Sequence, residues 1–334
     1  ALVERIGRAL LSLPRRHGLW PHWVTTSPTG ESAIVFGTEW SSVDTVIAAV
    51  GLLDAQSALG LDTTATEQML QAIDWADLTT PGGIAHGYAF SGERLPYAWD
   101  VFGGESWLVE LAEASVTGQV IALTYSTPPT ANGSGFIDEL AWLYVAPPDR
   151  SDYWGTDWTT YRSTAVQNQV AYYVTQHPIA CASEFGLFGL SAGEVPVPAN
   201  VAPSSIYQAF GVGGRFSAAN DGTDQSGGPV IVPHYAAVAA SLDPQASVKL
   251  WAWLIARGYF TPLTNVESIT LPASAPCDAT LIQRNSLKGS WNLALQTLGW
   301  GRYLAERQGL VSSAWQATKT NALLQRGYRL LVPD

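Results

Sequence analysis

The chain has 334 residues, a formal net charge of −11 at pH 7 and a sequence pI near 4.8. This acidity argues against nucleic acid, which requires a basic protein surface, and against anionic membrane surfaces. Charged residues make up only 13%, about half the usual share, while the chain has 14 tryptophans. A surface that is polar through uncharged groups suits a neutral, hydroxyl-rich ligand such as a carbohydrate. The alternative is that the tryptophans fill a large core.

Compartment and assembly are predicted from the same composition. No run of about 18 apolar residues is present, so we expect no membrane span. No signal peptide is visible at Ala1, and we expect a mature or trimmed form of a secreted or periplasmic protein. Cys181 and Cys277 could form one disulfide or remain two buried thiols. Neither has a further ligand at zinc-site spacing, so we expect no metal and no cofactor. We also expect a monomer.

Helical patterns begin early and recur along the chain. The first strong helix is predicted over 41–60, with a serine N-cap and a glycine at its end. It is apolar on nearly every side between Val46 and Leu53, which is typical of a helix buried between other elements. An amphipathic helix follows at 64–76. A buried helix followed by a half-exposed one favours a two-layered arrangement of helices.

Glu105 opens another predicted helix, directly after Gly103 and Gly104. On this helix Glu110 and Glu113 fall on the face opposite the apolar residues, which predicts an amphipathic helix. Residues 119–125 could be strand or buried helix, and the remaining helices are predicted over 2–13, 136–146, 158–178, 234–242, 245–257, 289–310 and 313–325. With about ten helices and no βαβ rhythm, we predict an all-α fold, a single (α/α) barrel over 1–334.

The stretch 184–234 interrupts the helices. Glycine, proline, serine, asparagine and aspartate punctuate it throughout, while aromatic and branched apolar residues are interleaved with them. A connection this long inside a compact domain is usually functional or disordered, and the apolar residues argue for order. We therefore predict an ordered loop system that forms one wall of a site and carries Glu184, Glu194, Asp221 and Asp224.

Several segments, in order, resemble the bacterial glycoamylase-like domain family. They are FGLFGLSAGEVP at 185–196, NDGT at 220–223 with Pro229 and Pro233 after it, LWAWLIARGYFTPLTN at 250–265, FGGESWLVELAEASVTG at 102–118, and LKGSWNLALQTLGW at 287–300. The resemblance runs from about residue 40 to 310. That family includes endo-β-1,2-glucanases and the transglycosylating part of cyclic β-1,2-glucan synthases. The resemblance implies an (α/α)6 barrel and a glycoside hydrolase or transglycosylase that acts on a β-linked glucan, with β-1,2-glucan the leading candidate.

Two departures from the family pattern bear on substrate linkage. Glycines precede Glu105 where the family often has an aromatic and a polar residue, and Gly-Glu-Val-Pro follows Ala192 in place of Asp-Gly-Pro. In addition, Phe188 stands where the family has tryptophan. The missing tryptophan and the altered Gly-Glu-Val-Pro segment keep a non-catalytic carbohydrate-binding or glycan-assembly protein on the same fold as an alternative.

Glycoside hydrolysis requires two carboxyl groups, one of which must be protonated to donate to the leaving oxygen. Glu105 is the first candidate, at a position that the resemblance matches. A glutamate in a first helical turn can also be only a partner of the helix dipole, which lowers its pKa unless burial reverses the effect. Glu184 and Asp221 are the other catalytic candidates, although Asp221 in its turn could simply cap its own backbone.

Sugar-binding candidates are aromatic or polar residues near these carboxylates: Trp99, Asp100, Trp154, Phe188, Glu194, Arg215 and Trp291. His17 and His22 are expected to be surface or packing residues, and Asp44 a first-turn helix residue. Asp221 and Asp224 lack the full spacing of a calcium loop.

Other mechanisms fit the sequence less well. A polysaccharide lyase would need a basic groove for uronates, which the net charge disfavours. No serine lies in a GxSxG elbow with a matching histidine, and neither a P-loop nor a dinucleotide fingerprint is present.

Overall fold

A computed structural model describes most of the chain. The described residues are 2–27, 29–99, 103–121, 133–145, 151–196, 205–212, 229–261, 265–272, 277–286, 289–310 and 320–333. Helices carry most of the regular structure, and the strands are short. No helix among these residues is long and apolar enough to cross a membrane. The chain divides into two compact units, unit 1 with residues 1–130, 140–158 and 313–334, and unit 2 with residues 131–139 and 159–312. The single domain stays a prediction.

Four helices of unit 1 begin near the positions predicted for them, whereas the C-terminal helix begins at Ala322 and runs to Leu331, beyond the predicted range 313–325. Its helices are α1 (Leu2–Ser12), α2 (Ser42–Ala58), α3 (Thr64–Gln71), α4 (Trp75–Leu78), α5 (Gly104–Thr117) and the C-terminal α12 (Ala322–Leu331); α6 (Gly135–Tyr144) begins in unit 2 and ends in unit 1. Ser41 caps α2 as predicted, because its hydroxyl accepts a hydrogen bond from the Asp44 amide. Gly118 ends α5 in the left-handed conformation.

Short antiparallel strand pairs connect the helices of unit 1. They are β1 (Val24–Thr26) with β2 (Ser32–Ile34), β3 (Trp40–Ser41) with β6 (Gly87–Tyr88), and β4 (Thr79–Thr80) with β5 (Gly83–Ile84). The pair β3–β6 sets Trp40 opposite Tyr88 and leads directly into the first turn of α2. The loops that surround that turn are therefore held by backbone hydrogen bonds.

Helix α5 lies at the centre of unit 1, with α2 and α12 packed against it. The prediction that α5 is amphipathic is wrong, because Glu110 is 0% exposed and Glu113 is 3% exposed. Among the residues that the structure describes, neither carboxyl oxygen of Glu110 has a hydrogen-bond partner. Burial raises the pKa of Glu113 to about 7. Burial, together with the Glu113 charge, also raises the pKa of Glu110 well above its ordinary value. The helical core therefore shifts both carboxyls towards their neutral form.

Unit 2 combines helices with two small antiparallel sheets. Its helices are α7 (Trp158–Ala171, which starts at the end of unit 1), α8 (Ala180–Phe185), α9 (His234–Ala239), α10 (Pro244–Ala256) and α11 (Ser290–Arg307). The strands β7 (Gly193–Pro196) and β8 (Ser205–Gln208) form a two-stranded sheet, and β9 (Val230–Ile231), β10 (Val266–Thr270) and β11 (Gln283–Ser286) form another in the order β11-β10-β9.

The predicted loop system 184–234 is therefore partly regular structure. Its described residues contain the end of α8, the β7–β8 pair and β9. The predicted helix 158–178 is also modified, because α7 ends at Ala171 and one π-helical turn (Tyr172–Gln176) follows. Most of the segments 119–125 and 313–325 lie outside the described residues.

Cys181 and Cys277 form a disulfide in unit 2, which resolves the two alternatives left by the sequence. The bond connects α8 to the segment that precedes β11. Nearby helices are also joined by a buried ion pair in which Arg162 Nε donates to Glu139 Oε2 at 2.5 Å. Arg162 also donates to Ser241 Oγ at 3.1 Å, so the guanidinium has partners on both sides.

Candidate functional site

The first turns of α2 and α5 bring two carboxylates together in unit 1. Both helices are largely buried, and each carries an acidic residue in its first turn, Asp44 on α2 and Glu105 on α5. The Asp44 charge acts on Glu105, so the N-terminal ends of the two packed helices lie on the same side. Ser41 Oγ donates to Asp44 Oδ2 at 2.6 Å and thereby orients that carboxylate. Two acidic groups that are remote in sequence thus belong to one site.

Glu105 favours its protonated form at neutral pH. Burial is the largest cause, and together with the Asp44 charge it raises the pKa of Glu105 to about 8, although His22 acts in the opposite direction. The dipole of α5 acts in the same direction as His22, because the N-terminus of a helix favours an ionised carboxylate. The residue as a whole keeps part of its surface in solvent. A neutral, partly accessible carboxylic acid beside a carboxylate is suited to donating a proton.

His22 joins the carboxylates of this cluster. Its Nδ1 lies 3.1 Å from Glu39 Oε1, and its Nε2 lies 3.7 Å from Asp44 Oδ2. Burial lowers the pKa of His22, but the hydrogen bond to Glu39 and the charges of Asp44 and Glu39 outweigh it, so the net shift is upward. The hydrogen bond from His22 correspondingly lowers the pKa of Glu39, against the effect of burial. The two shifts together favour the charged forms of both partners, imidazolium and carboxylate, relative to the same groups in water.

Aromatic rings border the cluster. Trp99, predicted as a sugar-binding residue, donates from Nε1 to Ser42 Oγ at 2.9 Å, which places it at the first turn of α2. Its ring stacks on His86 at 3.9 Å between centroids. Trp23 stacks on His22 at 4.7 Å and is 52% exposed. Part-exposed rings beside polar groups are the combination that a sugar ring needs, since its faces are apolar and its edges carry hydroxyls.

The sequence predicted Glu105 and Trp99 in this cluster but missed Asp44, His22 and Glu39. His22 was expected to be a surface or packing residue; its ring does stack on Trp23, and it also contacts two carboxylates, which the sequence did not indicate. A signal for Asp44 was present, since it stands in the first turn of a helix that is apolar all round, much as Glu105 does. The histidine came from a loop with no periodic pattern and carried no comparable signal.

The other predicted site residues are divided among three places. Trp154 lies in unit 1, half-buried, with its ring edge-on to Tyr153. Glu194 on β7 and Trp291 on α11 lie in unit 2, and both are partly exposed. Asp100, Arg215, Asp221 and Asp224 lie outside the described residues. Their roles stay predictions.

Two predicted residues of unit 2 have surroundings that argue against their proposed roles. Phe188 is 1% exposed, and its ring packs edge-on against Tyr235 within the core. A ring in that position cannot stack on a sugar, and this core position accounts for an apolar residue there. Glu184 lies in the last turn of the short helix α8 and is exposed to solvent. Its side chain is therefore open to water and is not enclosed by the packed helices as Glu105 is.

A serine and a histidine also meet in unit 2, but they are structural. Ser191 Oγ lies 2.7 Å from His234 Nε2 and accepts a hydrogen bond from the Phe136 amide at 3.0 Å. Both side chains are buried, and burial lowers the pKa of His234 to about 3. A substrate carbonyl could not reach this pair. Among the described residues, no group of three or more His, Cys, Asp or Glu side chains is arranged to hold a metal ion.

Comparison with solved structures agrees with the resemblance seen in the sequence at the level of the fold. A putative glucoamylase from Bacteroides uniformis superimposes with a TM-score of 0.69 at 15% identity, over 98% of this chain and 81% of that one. An endo-β-1,2-glucanase from Chitinophaga pinensis, solved with sophorotriose and glucose, gives 0.64 at 15% identity over 98% and 80%. A β-1,2-glucanase from Parabacteroides distasonis gives 0.67 at 14% identity over 98% and 50%. No family model and no curated protein matches the sequence.

Proposed function

We propose that this protein is a glycoside hydrolase that acts on a β-linked glucan, with β-1,2-glucan as the leading candidate. The observation that carries the proposal is the enclosure of Glu105, in the first turn of α5, beside Asp44 in the first turn of α2. That setting raises the pKa of Glu105 to about 8. Structural neighbours described as glucanases and glucoamylases support a glucan as the substrate class. The resemblance of the sequence to the glycoamylase-like family supports an (α/α)6 barrel as the architecture.

In the proposed mechanism, Glu105 donates a proton to the oxygen of the leaving sugar as the glycosidic bond breaks. Asp44 is the second carboxylate, acting either on the anomeric carbon or on a water molecule that attacks it. His22 contacts Glu39 through Nδ1 and Asp44 through Nε2. It therefore helps to position the Asp44 carboxylate and partly offsets its negative charge. A transferase reaction would use the same two groups, with a sugar hydroxyl in place of water.

Trp99 and Trp23 would hold the sugar rings next to the bond that breaks. Trp99 is fixed by both its hydrogen bond to Ser42 and its stacking on His86, so the ring has little rotational freedom to lose on binding. The disulfide between Cys181 and Cys277 supports an oxidising compartment, which agrees with the proposed secreted or periplasmic location. We propose that the protein acts as a monomer.

The test is product analysis by mass spectrometry on a panel of glucans that includes linear β-1,2-glucan. Wild-type protein is compared with Glu105→Gln, which removes the proton but keeps the shape. Glu31→Gln, at an exposed glutamate of the β1–β2 connection, is the matched control. We expect cleavage of β-1,2-glucan by wild type and control, and its loss in Glu105→Gln.

The outcomes separate the proposal into parts. Cleavage that survives Glu105→Gln would keep the enzyme class and remove Glu105 from the site. Cleavage of another glucan only would change the linkage. Binding without cleavage of any glucan would instead support a non-catalytic carbohydrate-binding protein on this fold.

A further inference from the structure

Unit 1 contains a cavity of about 540 Å³ that the proposed reaction does not use. It is lined by His17, Asp77, Thr80, Tyr88, Arg94 and Tyr97, with a few neighbouring residues of the 92–98 segment. The volume lies within the range of pockets that bind small molecules. None of these six side chains belongs to the cluster around Glu105 and Asp44, so the cavity requires its own explanation.

A tight turn fixes the histidine of this cavity. Arg16 and Leu19 exchange backbone hydrogen bonds of 3.0 and 2.9 Å around His17 and Gly18. Both central residues have positive φ, 50° at His17 and 84° at Gly18, as a type I′ turn requires. A β-carbon on Gly18 would lie 2.5 Å from the Ile73 Cα, so the glycine is also required by close packing. The turn holds the His17 ring in a stack on Tyr88 with centroids 4.1 Å apart.

The cavity offers balanced hydrogen-bonding groups. Asp77 Oδ2 accepts from the Tyr88 hydroxyl at 2.8 Å, and Asp77 Oδ1 lies 3.5 Å from Arg94 Nη1. The carboxylate accepts hydrogen bonds and the guanidinium donates them, while their charges offset one another. Both side chains keep more than 40% of their surface in solvent, at 47% and 41%. These are the features of a site for a neutral ligand with several hydroxyl groups.

Tyr97 connects the cavity to the candidate active site. Its ring is 58% exposed, lines the cavity and lies edge-on to His86, with centroids 5.7 Å apart. His86 in turn stacks on Trp99 at the first turn of α2. The segment that carries Tyr97 is held by hydrogen bonds from the His86 amide to Tyr97 O at 3.1 Å and from the Trp99 amide to Ile84 O at 2.8 Å. The same short segment therefore borders both places.

We propose that this cavity is a remote subsite that binds one glucosyl residue of the glucan chain, beyond the sugars at the bond that breaks. The inference rests on the proposed function, because it takes the ligand to be the same glucan. Asp77 and Arg94 contact the sugar hydroxyls, and the exposed ring of Tyr97 supports the chain between the two regions. The subsite makes the protein prefer chains long enough to reach it.

The test is calorimetric titration of Glu105→Gln protein, which does not consume its ligand, with linear β-1,2-glucooligosaccharides from sophorose upward. In this background Tyr97→Ala removes the connecting ring, and Tyr97→Phe keeps it. Arg94→Gln removes a charged guanidinium group that lines the cavity and lies outside the Glu105–Asp44 cluster. Leu59→Ala, at an exposed leucine at the C-terminal end of α2, is the control. Circular dichroism verifies that each variant is folded.

We expect affinity to rise with chain length until the cavity is reached. Tyr97→Ala and Arg94→Gln should each weaken the long oligosaccharides roughly fivefold to tenfold and leave sophorose unchanged, in line with the loss of one stacking or charged contact. Tyr97→Phe and Leu59→Ala should bind as the parent does. Long-chain binding that Arg94→Gln does not weaken overturns the subsite while the proposed function stands. A wild type that neither cleaves nor binds any glucan overturns both.

Discussion

The buried carboxyl of Glu113 predicts that this protein loses stability as the pH rises from about 4.5 to 7. The pKa of Glu113 is raised from 4.5 to about 7 in the folded protein, so the folded state holds its proton more tightly than the unfolded state does. The stabilisation is fully present below pH 4.5 and is lost between about pH 4.5 and 7. At 1.36 kcal/mol for each pH unit, the loss is about 3 kcal/mol between pH 4 and pH 8.

Glu113→Gln removes this titration while keeping the side chain nearly the same shape. Its absolute stability at pH 4 should not exceed that of wild type, because the added amide donor is buried and needs a partner. Its free energy of unfolding should fall by about 3 kcal/mol less than that of wild type between pH 4 and pH 8. Removing the Glu113 charge also lowers the pKa of Glu110. This second change reduces the dependence of unfolding free energy on pH as well.

The assay is urea denaturation of both proteins at several pH values, with Glu31→Gln as an exposed control that should follow wild type. The difference between the curves is the informative quantity, since every other group titrates in both proteins. Parallel pH curves for wild type and Glu113→Gln would refute the reasoning. That result would show that Glu113 reaches solvent or a cationic partner in the folded protein.

Three other predictions follow from the site and the disulfide. His22→Gln removes a group whose charge lowers the pKa of Glu105, so the alkaline limb of the pH–rate profile should move above about pH 8. Asp44→Asn should instead lower the pKa of Glu105. An unmoved limb in His22→Gln would show that the histidine does not act on the acid. Trp99→Ala should weaken substrate binding by roughly tenfold, measured as KM or by titration of Glu105→Gln protein, and Trp99→Phe should recover part of the loss. Replacing Cys181 and Cys277 by serine opens a covalent loop whose ends are 96 residues apart in the sequence. This should lower the free energy of unfolding by about 2 to 4 kcal/mol. An unchanged denaturation midpoint would contradict the prediction.

Local signals in the sequence predicted the elements that they specify directly. The Ser41 cap and the apolar run after it predicted α2, and the two glycines before Glu105 predicted the start of α5. Both elements form near the expected residues, because capping and periodicity act over a few neighbours. Resemblance of ordered motifs predicted the fold that the solved structures share.

The surroundings of α5 could not be predicted in the same way. Glu110 and Glu113 were placed on a polar face, but α2 and α12 cover that helix from distant parts of the chain. Periodicity records where apolar residues fall and does not record how many partners a helix has. An acidic residue on a helix that is covered on several sides becomes a buried neutral acid, which no local pattern distinguishes from a solvent-exposed one.

The candidate site shows the same limit. Asp44 and Glu105 come from different helices, and His22 comes from a loop before both of them. Each has an ordinary local explanation, and only the packing of α2 on α5 places their charges within reach of one another. Phe188 shows the converse, because a motif position suggested a ligand contact and the three-dimensional structure places the ring in the core.

The role of Glu105 as the proton donor is tested most directly by varying the leaving group. A glycoside whose leaving group is an acidic phenol departs with little protonation of the glycosidic oxygen. In the natural glucan the leaving group is a sugar hydroxyl, so that oxygen must be protonated as the bond breaks. The measurement is kcat/KM of wild type and Glu105→Gln on linear β-1,2-glucan and on an activated aryl β-1,2-glucooligosaccharide. We predict a loss of about 10² to 10⁴-fold on the glucan and a much smaller loss on the aryl substrate. Equal losses on the two substrates would contradict the assignment of Glu105 as the general acid.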